Sequence, residues 1–349
     1  MDIAEEWLLA DSAWWGTRRR FGRCALRLRH GAPADATPVA PEDVPAGARV
    51  RRLRGTVLPG LRDAHVHCAL VDLRSVRAGG IAEVHDLGSA PDVLEALPAD
   101  DPTLPRMRVV GAFLTAPGGY PGDRSWAAAG SVREVRSPLD AEGAVGEQRQ
   151  VGACAIKVAL NSDAGPVLAD SVLAAIVGAA HDAGLPVIAH VEGEGMTRLA
   201  YDNGIDRLAH TPWTERVDDG LVADAAQYMS WISTLDIHGF GTDTPQLRTA
   251  TDNLRRFVEH GGTVLYGTDL GNGPLPPGVN TREVTALLAA GLTPDDVLTA
   301  MTDSRSPVPP CWVPGGLDST PSRFAGSLGL AQVVDPVTQS DPRDTSRER

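Results

Sequence analysis

From residue 57 to about residue 303 the chain alternates short apolar runs with helical stretches, and this alternation most restricts how it can fold. Eight runs read as strands: residues 56–58 leading toward His65, then 82–85, 107–113, 155–160, 186–190, 207–210, 229–235 and 263–266. Short apolar runs separated by helices are the pattern of a parallel sheet with crossover connections. Helical spacing is clearest at Leu168, Val172, Leu173, Ile176, Val177 and Ala180, which share one face, and Gly184 stands where a C-terminal cap belongs. Residues 246–260 read as another helix and 280–290 as a third; Thr293-Pro294 opens a fourth, as N-cap and first-turn proline. Eight such units need about 250 residues, the size of a (β/α)₈ barrel. The rest of the 349-residue chain is left for a small appended domain, loops and tails.

Composition narrows the class of partner. The formal net charge of −13 argues against nucleic acid, because phosphate binding needs a basic surface. The cluster Arg18-Arg19-Arg20 reads as a solvated face. No apolar run is long enough for a membrane span, and the acidic N-terminus lacks the layout of a secretion signal, so a cytoplasmic location is expected. Cys24, Cys68, Cys154 and Cys311 are far apart and form no CxxC pair, which speaks against a disulfide framework or a thiolate zinc site. Lys157 is the only lysine among the 32 lysine and arginine residues. Arginine cannot lose its proton at useful pH, so a position that needs a neutral amine must keep lysine.

The strongest local signal is Leu58-Pro59-Gly60-Leu61-Arg62-Asp63-Ala64-His65-Val66-His67. Histidines at i and i+2 on an extended segment point the same way, so both imidazoles can reach one metal ion. Metal-ligand residue types recur at the ends of later runs: His190, His210 and Asp269, with Lys157 on the fourth. Strand ends are where (β/α)₈ enzymes place their catalytic groups. Among the other histidines, His30 and His181 read as exposed, His260 as the end of a helix, and His238, just past the seventh run, as a candidate substrate contact.

The 58–67 motif followed in order by Lys157, His190, His210 and Asp269 resembles the amidohydrolase superfamily, in its imidazolonepropionase-like and Xaa-Pro dipeptidase-like branch. The similarity runs from about residue 57 to 303 and takes in residues 80–88 and Leu114-Thr115-Ala116-Pro117-Gly118-Gly119-Tyr120. The resemblance implies an α/β fold: a (β/α)₈ barrel over residues 56–305, with a small β-sandwich domain from residues 1–55 and a C-terminal return at 306–334. Residues 335–349 read as a disordered tail. It implies that His65 and His67 bind one divalent metal, zinc by preference, and that a carboxylated Lys157 bridges to a second ion held by His190 and His210. Asp269 would be a ligand and the general base and acid for hydrolysis of an amide-type C–N bond, in a cyclic amide or small peptide-like substrate. Tyr120 stands where many relatives carry histidine, and His85 precedes Asp86 where arginine is common. The return to the small domain is faint, with residues 324–334 the candidate, so that domain is expected to be reduced.

Two other functions fit parts of this pattern. A deaminase of the same superfamily typically uses one metal and needs no lysine on the fourth strand, which Lys157 argues against. A catalytically retired barrel acting as a binding protein would not need every ligand type kept. The expected partner is a small molecule, and a homo-oligomer is compatible with the sequence.

Overall fold

The computed structural model describes residues 5–17, 19–98, 101–304 and 306–335. Residues 336–349 of the expected tail, and Arg18 of the basic cluster, lie outside the described residues. Asp335 lies within them, and its carboxylate accepts from Arg77 Nη2 at 2.7 Å.

The two ends of the chain meet in one sheet. Glu5–Trp14 runs antiparallel to Cys24–Arg29 and parallel to Val50–Leu58, which pairs antiparallel with Cys311–Pro314. Leu8, Leu26, Leu28 and Val57 pack beneath it with Trp15. Residues 56–58 are therefore the end of a terminal-sheet strand and not the first parallel strand. Pro59-Gly60 interrupts the run, proline having no N–H to donate to a ladder. Pairing resumes at Arg62–Val66, which carries His65. The return begins at Cys311–Pro314, earlier than the 324–334 candidate; the first residues of that candidate belong to the helix Pro321–Leu328, and its strand Gln332–Val333 joins the same sheet, antiparallel to Cys311–Pro314. In that helix Phe324 and Leu328, four residues apart, are both fully buried on one face.

The strands of the other two sheets are parallel. Arg62–Val66, Glu83–Asp86 and Arg106–Val109 form one sheet. Phe113–Thr115, Ile156–Asn161, Val187–Glu192, Arg207–Leu208, Ser230–Ile232 and Thr263–Leu265 lie side by side in a second. The expected strand at 107–113 is thus broken in two, at Gly111. Its φ of 77° suits glycine, and a Cβ there would run into the Gln148 amide.

Hydrogen bonds join the two parallel sheets at both seams. Cys154 N–H donates to the Val109 carbonyl at 2.8 Å, and Ala64 N–H to the Tyr266 carbonyl at 2.9 Å. The curled sheet holds an inner apolar cluster of Ala64, Leu87, Val110, Ala155, Ile188 and Ala209 with Ile232, while the larger core lies between strands and helices. Helix Asp170–Asp182 buries Val172, Leu173, Ile176, Val177 and Ala180, as its spacing predicts. Pro294–Met301 starts in a capping box, Thr293 and Asp296 each satisfying the other's backbone N–H. Among the described residues no helix is long and apolar enough to cross a membrane.

Candidate functional site

Asp63 sets the geometry of the site's floor. One of its oxygens accepts the backbone N–H of His65 and of Thr268, each at 3.0 Å, and the other accepts the Thr268 hydroxyl at 2.6 Å. The first parallel strand and the segment carrying Asp269 are thereby held together. Burial pushes the Asp63 carboxyl up to about 7, with the Thr268 and His65 bonds opposing. Asp269 adopts φ +58°, a left-handed conformation that aspartate tolerates better than most residues, and its N–H donates to the His65 carbonyl at 2.8 Å.

The side chains at this floor are arranged like ligands. Asp269 Oδ1 lies 3.0 Å from His65 Nε2 and 3.1 Å from His67 Nε2. Yet that oxygen is buried and takes no hydrogen bond of proper geometry. His65 Nδ1 faces the Ala209 carbonyl at 2.9 Å, and His67 Nδ1 the Gly88 carbonyl at 3.3 Å. A carbonyl only accepts, so Nδ1 carries the proton, and a neutral ring turns the Nε2 lone pair toward Asp269. Burial pushes His65 down to about 4, so it is neutral at pH 7. Burial also disfavours charge on His67, but the Asp269 carboxylate outweighs it and raises the pKa. Asp269 itself stays well below the usual carboxylate range, because the neighbouring imidazoles overcome its burial.

His210 completes a compact group. The candidate ligand atoms of His65, His210 and Asp269 all lie within 4.8 Å of one another. Its Nδ1 is 2.9 Å from the Thr234 hydroxyl, and burial pushes its pKa well down. His190 stands one step away, 5.1 Å from His210 between ring centres, with Nε2 3.1 Å from Glu192 Oε2. Lys157 is 1% exposed, and burial lowers its amine to about 7 against the pull of Asp269 and Asp86. Imidazole nitrogens with a carboxylate suit zinc and similar divalent ions. An orphaned buried oxygen facing lone pairs is what a cation would satisfy, so the residues fit such an ion.

His65, His67, Lys157, His190, Glu192, His210 and Asp269 line one cavity of about 450 Å³, together with Tyr120 and His238. Tyr120 stacks on His190 at 4.8 Å and 25°, and burial raises its phenol. His238 lies 4.8 Å from the Trp213 ring, and burial lowers it to about 4. His85 does not join the site; with Arg62, Arg108 and Arg207 it lines a separate pocket.

Sequence reasoning missed Glu192, Trp126, Trp213 and Asn272. Glu192 was within reach, because it follows His190 by two residues on an extended strand and so shares its face. Asn272, whose amide donates to Asp269 Oδ2 at 2.9 Å, and the two tryptophans sit in loops with no periodicity to mark them.

No family model matches the chain. Uncharacterized proteins of Mycobacterium tuberculosis and Mycobacterium bovis are 27% identical over 279 residues, covering 70% of this chain and 72% of theirs. Solved structures align over nearly its whole length. A Xaa-Pro dipeptidase with bound methionine has a TM-score of 0.76 at 18% identity, covering 94% of this chain and 97% of that one. The A. niger ochratoxinase has a TM-score of 0.76 at 17% identity, covering 95% of this chain and 94% of that one. A putative prolidase from Bifidobacterium longum has 0.69 at 21%, covering 86% and 83%. These solved hydrolases are members of the amidohydrolase superfamily, and theirs is the fold of this chain.

Proposed function

We propose that this protein is a metal-dependent hydrolase of amide-type C–N bonds in small molecules, working at the cavity formed by the ends of a (β/α)₈ barrel. The parallel strands bonded at both seams support the barrel reading, and the terminal sheet supports a small appended domain. The observation that carries the function is the buried Asp269 oxygen, unbonded yet about 3 Å from the Nε2 atoms of His65 and His67. His65, His67, His210 and Asp269 would hold one divalent ion, zinc by donor type. Lys157 and His190 would serve a second; with Nε2 on Glu192, His190 keeps Nδ1 for that use. A bound divalent ion polarises a carbonyl and lowers the pKa of water from 15.7 to about 7.

The chain's own residues supply the remainder. The Asp269 carboxylate accepts the proton of the attacking water and later returns it to the departing nitrogen. The Asn272 amide on Oδ2 and the backbone bond to His65 hold it in place for both transfers. Lys157, with its pKa near 7, is partly neutral at pH 7 and so open to carboxylation by CO₂, which makes an oxygen ligand of a cation. This amine also disfavours the deaminase alternative, which has no use for it.

Metal content per purified chain, measured before and after chelation, tests the reading alongside a panel of acyl amides, cyclic amides and dipeptides. Expected is a stoichiometric divalent ion, hydrolysis lost on chelation and regained on adding zinc. Asp269→Asn should lower kcat by a factor of about 10²–10⁴ from proton transfer alone. A protein that takes up no metal, or releases ammonia from ring substrates without hydrolysing amides, would overturn it.

A further inference from the structure

The starts of the parallel strands carry a second group of charged side chains, at the end of the sheets away from the ligand cluster. Arg62 and Arg207 open their strands, with His65 and His210 following toward the other end. Arg108 lies in the strand Arg106–Val109, paired with His85. These three arginines and His85 line one pocket of about 150 Å³. Its inner wall is Leu87, Val110, Ala155 and Ile188, all members of the inner apolar cluster. Lys157 and His190 come two residues after Ala155 and Ile188 on the same strand faces, so one apolar layer separates this pocket from the cavity above.

The arginines have no counter-ion at bonding distance. None of the three forms an ion pair among the described residues, and their one side-chain hydrogen bond runs from Arg207 Nε to the Ser230 hydroxyl at 2.9 Å. Arg62 Nε is buried without a partner. Nearby acids are engaged elsewhere. Glu83 Oε1 faces His85 Nε2 at 3.3 Å, and its Oε2 accepts from the Ser306 hydroxyl at 3.2 Å. Asp206 Oδ2 accepts the Val187 N–H at 2.7 Å and faces His181 Nε2 at 2.9 Å. Burial holds Arg62 below its ordinary pKa; the charges of Glu83 and Asp303 oppose this, and Arg108 adds to it. Burial, then the charge of Arg62, does the same to Arg207. Arginine keeps its proton even so, and the pocket therefore gathers three cations that repel one another.

We propose that this pocket binds a tetrahedral oxyanion of the phosphate class, as the free ion or as the phosphoryl group of a small molecule. A phosphate offers two charges and several acceptor oxygens to guanidinium forks, where a carboxylate offers one charge and two oxygens. The volume is about five times the ~30 Å³ share of one water in the liquid, room for one five-atom oxyanion and not for a nucleotide. Such an ion would stabilise the folded chain, since it binds the arginines only where folding gathers them.

The test is melting temperature and calorimetry on the protein as purified, with millimolar phosphate or chloride at constant ionic strength. Wild type is compared with Arg62→Gln and with Arg108→Gln, whose side chain is exposed and whose loss leaves the core intact. Phosphate should raise the wild-type melting temperature saturably, and either variant should bind it about tenfold more weakly. In chloride, Arg108→Gln should melt no lower than wild type, because one unpaired cation is gone. Glycerol phosphate separates the two sources: tighter binding than phosphate assigns the pocket to a phosphorylated molecule, and weaker binding to the free ion. A rise no greater than in chloride, or one that never saturates, overturns the proposal. Undiminished phosphate binding in both variants also overturns it, and would put the ion at the ligand cluster instead.

Discussion

Lys157 shows how one residue can be chosen by chemistry and then shaped by its surroundings. A buried ammonium is costly, and at 1% exposure the cost appears as a pKa near 7. Arginine at the same place would keep its charge, because its pKa is beyond reach of burial. Lys157→Arg should therefore yield a chain with native circular dichroism but less metal per molecule than wild type. A fully loaded, active variant would remove Lys157 from the ligand set. The residue was conspicuous in the sequence as the sole lysine; its burial against Asp269 and Asp86 was not, since no spacing rule relates residues so far apart.

At the scale of elements, four helices were legible, Pro138–Gln150 and Asp219–Tyr228 went unread, and the strands were legible only in part. Helix Asp170–Asp182 follows its apolar spacing, and Thr293-Pro294 opens a helix as expected. Strand limits moved where proline or glycine broke a run, at Pro59-Gly60 and at Gly111. Helix Thr281–Ala289 carries a group that nothing in its sequence marks. Glu283 is fully buried, and burial pushes its carboxyl from 4.5 up to about 7; its Oε2 accepts the Asp236 N–H at 2.7 Å. Between these two values the folded chain keeps a proton that the unfolded chain releases. Stability should then fall as pH rises through that window, by at most about 1.4 kcal/mol per unit from this group. Glu283→Gln should flatten the dependence of melting temperature on pH between 5 and 7.5. An unchanged slope would show that Glu283 does not carry it.

At the scale of the molecule, part of the terminal regions reaches into the core of the parallel sheets, while Leu8, Leu26 and Leu28 keep a cluster of their own. Phe324, Leu328, Cys311 and Trp14 belong to the same apolar cluster as Ile156 and Val187 of the parallel strands. Trp14 Nε1 also donates to Asp295 at 2.7 Å, linking the first strand of the chain to a late helix. Phe324→Ala should cost about 3–5 kcal/mol and shift a single cooperative urea transition. Two transitions, only one of which moves, would mean that the terminal sheet unfolds by itself.

What the sequence determined alone was local: which runs extend, which coil, and which residues have the lone pairs to ligate a cation. These follow from side-chain period, capping chemistry and acid–base type, all readable within a few residues. Tertiary structure decided what lies opposite what. It set Asp269 Oδ1 about 3 Å from two imidazoles, closed the sheets at two seams, and turned Glu192 into the cavity beside Tyr120 and Trp213. Such pairings join residues up to some two hundred positions apart, and their energy comes from burial and hydrogen bonds that exist only once the chain has closed on itself.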